Sequence, residues 1–362
     1  MILQINRLMA ELSKKNINWI NAVKAICMIL IYFIHSQLYY GCWMQGVNDY
    51  IHPVYVNAFF FVSGYLLFRK QLSSPLIDQR MSQYVMGGGK LSLQNIVYKI
   101  VIPTVLFSLI EYAPKHILRG ESLTLHTFLS NTIGGGTYWF TSSLVVAELV
   151  ILVLLFFRKA NIWFYVVLGI FVTLLGFYLV RIDFHLFGFG RDPWAYRRGF
   201  MAIGFLVMGG LYWNYEERLA KLSKYVIIPL LVAYAFIFSD RSHTAKVLIS
   251  TMEINWIGYL ASILGCVLLI ELCKLLKPVS VLTFIGQNSL CFYFLSGALP
   301  MLVSMLMKRY MGPDHLYGLL IVFVLCLSVA YAVTYLLNRY FPFLFDLRCM
   351  KKRTNGYRKE VI

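Results

Sequence analysis

Long apolar runs separated by short polar stretches dominate the chain, and most of the runs come close to twenty residues. They lack the two-residue alternation of a membrane barrel strand. A helix rising 1.5 Å per residue needs about twenty residues to cross a hydrocarbon core of about 30 Å. The pattern predicts helices near 19–39, 51–68, 96–113, 138–157 and 163–180, then 198–215, 225–238, 254–276, 284–307 and 316–338. The 225–238 run is short and begins near Pro229. The expected fold is therefore all-α, a polytopic integral membrane protein with about ten transmembrane helices. A cytoplasmic N-terminal segment (1–18) and a basic cytoplasmic tail (342–362) flank a membrane domain over 19–341. No repeat or heptad array interrupts this plan. The first run is long and no small-residue cleavage site follows it, so no cleaved signal peptide is expected.

Composition agrees with lipid as the main solvent. The 362 residues are 59% hydrophobic and 14% charged, against about 45–50% and roughly 25% in soluble domains. The net charge of +17 does not read as a nucleic-acid surface, because the basic residues sit in short segments between apolar runs. With the N-terminus inside, cytoplasmic segments hold 22 Lys and Arg and the opposite side holds 10. That bias places both termini in the cytoplasm of a multi-pass cell-membrane protein. The main exception is the 181–198 loop, whose Arg181, Arg191, Arg197 and Arg198 suit an anionic glycan or lipid phosphate, or pair with Asp183 and Asp192. Six of the seven cysteines lie in or beside apolar runs or in the tail, and only Cys42 falls in an outer loop. That distribution implies no disulfide framework, and the spacing fits no zinc site. Gly87-Gly88-Gly89 follows no strand and precedes no Lys-Ser/Thr pair, which argues against a nucleotide loop.

An ionisable group inside a spanning helix is costly and points to function. The first helix carries Lys24 and His35. Eleven residues at about 100° each bring the two back to within about 20° of one face, about 16 Å apart along the axis. A cationic group near the cytoplasmic boundary and an imidazole in the outer half suit a substrate lying lengthwise, with phosphates at Lys24 and a reacting end at His35. The alternative is a snorkelling lysine and a histidine held in a buried hydrogen bond. His52 opens the second helix on the same outer side, where it either shares proton transfer with His35 or faces water. The following Phe59 to Tyr65 stretch, with Ser63-Gly64, suits close helix packing.

These residues resemble those of a known family. Lys24-x10-His35 matches the basic-residue-x10-His signature of the acyltransferase 3 family, membrane-bound enzymes that modify sugars and surface glycans. Asn18-Trp19-Ile20, Phe59 to Tyr65, Ile102-Pro103, Tyr138-Trp139-Phe140 and Ile285-Gly286-Gln287-Asn288-Ser289-Leu290 extend the resemblance over nearly the whole chain. It implies an acyltransferase-3-like bundle that moves an acyl group, usually acetyl, from cytoplasmic acyl-CoA to a carbohydrate or lipid-linked glycan hydroxyl at the outer face. Acyl-CoA is then a donor substrate, and no permanently bound cofactor or metal is expected. The donor's phosphates would meet Lys24, Arg69, Lys70 and Lys99. His35 would be the general base, with an acyl-histidine relay as a variant, and His52 a second candidate. Glu148 in the fourth helix would orient or charge-balance the histidine, or pair with another basic residue. Position 24 is Lys where the family often has Arg, position 96 is Ile where a second arginine is usual, and Ser296 stands where relatives often place His. The competing function is a transporter or export component for a sugar or polysaccharide without transfer activity.

Overall fold

The computed structural model describes residues 18–72, 90–155, 161–184, 192–239, 249, 252, 256–312 and 315–346. Most of the N-terminal segment, Gly87–Gly89, Arg191 and the tail beyond 346 lie outside the described residues. Among those described, the regular elements are all helical: α1 (Asn18–Tyr40), α2 (Gln45–Ile51), α3 (Asn57–Leu72), α4 (Lys90–Ile96), α5 (Ile102–Arg119), α6 (Leu125–Asn131), α7 (Trp139–Leu154), α8 (Ile162–Arg181), α9 (Tyr196–Ser239), α10 (Trp256–Leu275), α11 (Ser280–Gln287), α12 (Ser289–Met311) and α13 (Leu316–Tyr340). Among the described residues, six helices are long and apolar enough to cross a membrane: Asn18–Tyr40, Leu93–Ile117, Ile162–Arg181, Ile257–Leu275, Ser289–Met311 and Leu316–Tyr340. Trp139–Leu154 and Ile227–Ile237 are shorter apolar helices. Val167, Ile170, Phe171 and Leu174 along α8 are exposed, as lipid-facing side chains would be.

Several boundaries differ from the sequence expectation for identifiable reasons. The expected spans 198–215 and 225–238 are not separate elements but parts of α9. The polar stretch between them, Glu216 to Lys224, contains neither Gly nor Pro. Its Glu, Arg, Leu, Ala and Lys residues favour helix, so low hydropathy alone does not stop the helix. The second expected span begins at Asn57 rather than 51, because Pro53 lies in a turn whose carbonyl accepts from the Asn57 side chain at 2.8 Å. The run 284–307 is divided at Asn288, whose side chain donates to the Phe284 carbonyl at 2.8 Å and competes with the helix ladder. Between α4 and α5 the chain widens into a π turn, Val97–Val101, with Ile102 N–H donating to the Val97 carbonyl. Pro103 follows and has no N–H for the Lys99 carbonyl, so the ladder cannot continue in α-helical register there.

The chain divides into two compact units, Met1–Val62 with Tyr215–Leu248 and Glu253–Ala332, and Ser63–Asn214 with Ile249–Met252 and Val333–Ile362. In the first unit α1 packs against α11, α12 and α10. Its Trp19, Val23, Cys27, Met28, Ile31 and Tyr32 are buried. In the second, small residues allow close helix approach. Gly169 and Gly176 of α8 face Val207 and Met201 of α9, and Gly64 of α3 faces the Leu206 backbone.

Candidate active site

His35 lies half-buried on α1, and its Nδ1 sits 2.5 Å from the main-chain oxygen of Ser296 on α12. A carbonyl oxygen only accepts, so Nδ1 carries the hydrogen. In the neutral ring the lone pair then belongs to Nε2. Tyr39, one turn further on, meets the imidazole edge-on with centroids 6.2 Å apart. Two more bonds tie α1 to the main chain of α12 and the residue after it. Tyr32 donates its hydroxyl to the Phe292 carbonyl at 2.9 Å, and Tyr40 donates to the Gly312 carbonyl at 2.7 Å. Lys24 is on the same unbroken helix, half-buried. No carboxylate pairs with its ammonium among the described residues.

Beyond α1 the chain is pinned by a buried amide pair. Gln37 donates to the Asn48 side-chain oxygen at 3.0 Å and accepts from the Asn48 amide at 2.9 Å. The same Gln37 oxygen accepts from Met44 N–H at 2.8 Å. Both residues are essentially inaccessible, at 0% and 1% exposure, so these amide groups satisfy one another in place of water. His52 follows α2, with its ring edge-on to Trp43 and Tyr55, both at 5.7 Å between centroids. Burial pushes the Tyr55 phenol up to about 12.

The remaining sequence candidates belong to the second unit. Arg69 and Lys70 occupy the last turn of α3, and Lys99 is exposed on the π turn. Glu148 lies on α7, where Lys70 is the charge acting on its carboxylate. In the arginine-rich 181–198 loop, Arg197 is buried and meets Asp183 at 3.2 Å and Asp192 at 3.5 Å. Burial raises the Asp192 carboxyl above its usual range, opposed by the Arg197 and Arg198 charges. Arg198 stacks over Trp139 at 5.5 Å and donates to the Ile249 carbonyl. These interactions engage both arginines within the fold. Nearby, Gly135 adopts φ +71°, and its carbonyl accepts from the Ser142 hydroxyl at 2.8 Å.

Sequence reasoning missed three features. Glu271 is buried on α10, and Lys274 Nζ approaches both it, at 3.5 Å, and Glu216, at 3.0 Å. The same ammonium lies 5.4 Å from the Trp19 ring on α1. An acidic residue inside an apolar run was the available signal. The second feature is a polar cavity of about 690 Å³ in the second unit, lined by Lys115, His116, Glu121, Thr127, Asn131 and Thr137. There His116 Nδ1–H donates to the Tyr112 carbonyl at 2.9 Å, and Nε2 faces Asn131 at 3.2 Å and Glu121 at 3.4 Å. The third is the Ser296 carbonyl, a main-chain acceptor for His35. Among the described residues no group of His, Cys, Asp or Glu is placed to hold a metal ion.

A family model described as an acyltransferase domain, Acyl_transf_3, matches residues 17–339. The chain belongs to the acyltransferase-3 family. Nearly all of the sequence, including α1 and all the candidate residues, falls within the match. No curated protein and no solved structure matches the chain. Membership makes this acyltransferase-3 protein an acyltransferase, and its apolar helices are those of a multi-pass membrane protein.

Proposed function

We propose that this acyltransferase moves an acyl group, usually acetyl, from cytoplasmic acyl-CoA to a carbohydrate hydroxyl at the outer face of the cell membrane, with His35 as general base. The observation that supports the reading most directly is the Ser296 carbonyl on His35 Nδ1. It selects the tautomer whose Nε2 lone pair can accept a proton, and general-base catalysis of this kind contributes about 10²–10⁴-fold.

The chemistry balances with the imidazole alone. Nε2 takes the proton of the acceptor hydroxyl as its oxygen attacks the thioester carbonyl carbon. The tetrahedral intermediate collapses, the C–S bond breaks, and the ester remains on the sugar. The departing CoA sulfur takes the proton back from the imidazolium, which restores the neutral ring. Lys24 is assigned to a donor phosphate, since a half-buried ammonium with no described carboxylate partner is suited to an anionic ligand.

Mass spectrometry of surface glycans from cells with and without the protein tests the reading. Cells carrying the wild-type chain should show glycans heavier by the mass of the added acyl group, carried as an ester. His35→Ala should remove it while the protein remains in the membrane. Esters that persist at wild-type level in His35→Ala cells refute the base assignment. Sugar movement across the membrane without any new ester would establish the transporter alternative instead.

A further inference from the structure

In an α-helix the N–H of each residue bonds to the carbonyl four residues earlier. Pro300, inside α12, has no N–H, so the carbonyl it leaves without a ladder donor is that of Ser296. This is the same oxygen that His35 Nδ1 approaches. The Ser296 side chain is turned back onto its own helix, with Oγ–H donating to the Tyr293 carbonyl at 2.7 Å. Ser296 and Pro300 are both buried, and an unsatisfied carbonyl in a water-poor interior costs several kcal/mol. One turn earlier, Tyr32 donates to the Phe292 carbonyl. Tyr32 and His35, three apart on α1, therefore reach carbonyls four apart on α12, which fixes the axial register of the two helices.

The geometry points to Pro300 as a positioning residue for His35. By withholding a donor from the helix ladder, it reserves the Ser296 carbonyl for the imidazole and thereby holds the ring in the Nδ1–H tautomer. The proline touches no reacting atom and acts through one main-chain oxygen. The inference rests on the reading of His35 as general base.

Two replacements at position 300 separate the missing donor from the shape of the ring. Pro300→Ala restores an N–H that competes for the Ser296 carbonyl. The α-hydroxy analogue of alanine, introduced by nonsense suppression, puts an ester oxygen in place of the amide nitrogen, so it has neither a donor nor a ring. Steady-state kinetics of the full-length protein in liposomes, with acetyl-CoA as donor, should show kcat reduced about tenfold or more in Pro300→Ala, the scale at which losing an orienting partner of a histidine acts. KM for acetyl-CoA should stay unchanged. The hydroxy analogue should restore kcat to near the wild-type value. In ¹⁵N spectra of labelled histidine, the His35 signals should change in Pro300→Ala and return to wild-type positions in the analogue.

Wild-type kcat in Pro300→Ala, or equal losses in both variants, overturns the inference. If Pro300→Ala does not fold, a kcat in the hydroxy analogue as low as that of an unfolded control overturns it, and near-wild-type kcat supports it. His35→Ala is run alongside. Activity retained there defeats the general-base reading itself, whereas an inactive His35→Ala with a fully active Pro300→Ala defeats only the role of the proline.

Discussion

Gly286 offers a sharp test of how α1 is held. A Cβ added at this position of α11 would lie 2.1 Å from the Asn21 carbonyl oxygen and 2.6 Å from both its carbonyl carbon and its Cα. These are main-chain atoms, so no rotamer change relieves the clash. Carbon atoms reach their attractive minimum at about 3.5–4.0 Å, so to relieve the two carbon contacts at 2.6 Å α11 and α1 must separate by about 0.9 Å or more. Overpacking of a tight contact costs about 1–3 kcal/mol, and a backbone-on-backbone clash belongs at the upper end. Gly297, on α12, supplies the control, since an added Cβ there meets no atom within 4 Å. In a helix interior, Gly→Ala is intrinsically favourable by about 1 kcal/mol. Thermal unfolding of the detergent-solubilised protein, followed by fluorescence-detected size exclusion, should show Gly286→Ala melting on the order of 4 °C below wild type, since about 2.1 cal/mol/K per residue over 362 residues gives about 1.3 °C per kcal/mol. Gly297→Ala should melt at or above wild type. Equal melting of the two variants would refute the close approach of α11 to α1.

Two further outcomes follow from the site. Gln37→Leu leaves the buried Asn48 amide and Met44 N–H without their partner, and should lower stability by about 1–3 kcal/mol. Adding Asn48→Leu should recover part of that loss, and strictly additive melting shifts would show that the pair is not coupled. Lys24→Ala should raise KM for acetyl-CoA about tenfold with little change in kcat, corresponding to about 1.4 kcal/mol of lost phosphate interaction. Unchanged dependence on donor concentration would rule out the phosphate role.

Some of this molecule is written in its hydropathy. The 19–39 and 163–180 runs became Asn18–Tyr40 and Ile162–Arg181, because an apolar run of that length has few alternatives to a helix in lipid. Hydropathy fails where backbone propensity decides. It reads Glu216–Lys224 as a loop, although none of those residues breaks a helix, and it reads through Asn288, where a side chain captures a carbonyl. The pairing of Lys24 and His35 on one helix was legible from spacing alone. The partner of His35 was not, because it is a main-chain atom, and Pro300 marks only that the Ser296 carbonyl lacks a helix donor, not which side chain takes it. Arg197 shows the converse. Its residue type drew attention, yet the structure pairs it with Asp183 and Asp192.

The bonds from Tyr32, His35 and Tyr40 all end on carbonyls of α12 or the residue that caps it. A main-chain acceptor is supplied by any amino acid, so substitutions at 292 and 296 can accumulate over evolution without removing the groups these donors need. Position 300 lacks that latitude, because no other genetically encoded side chain removes the N–H. Across descendants of this chain the identity of residue 35 should therefore track that of residue 300, about 6 Å of helix rise beyond the Ser296 carbonyl (four residues at about 1.5 Å each), while residue 296 drifts between them.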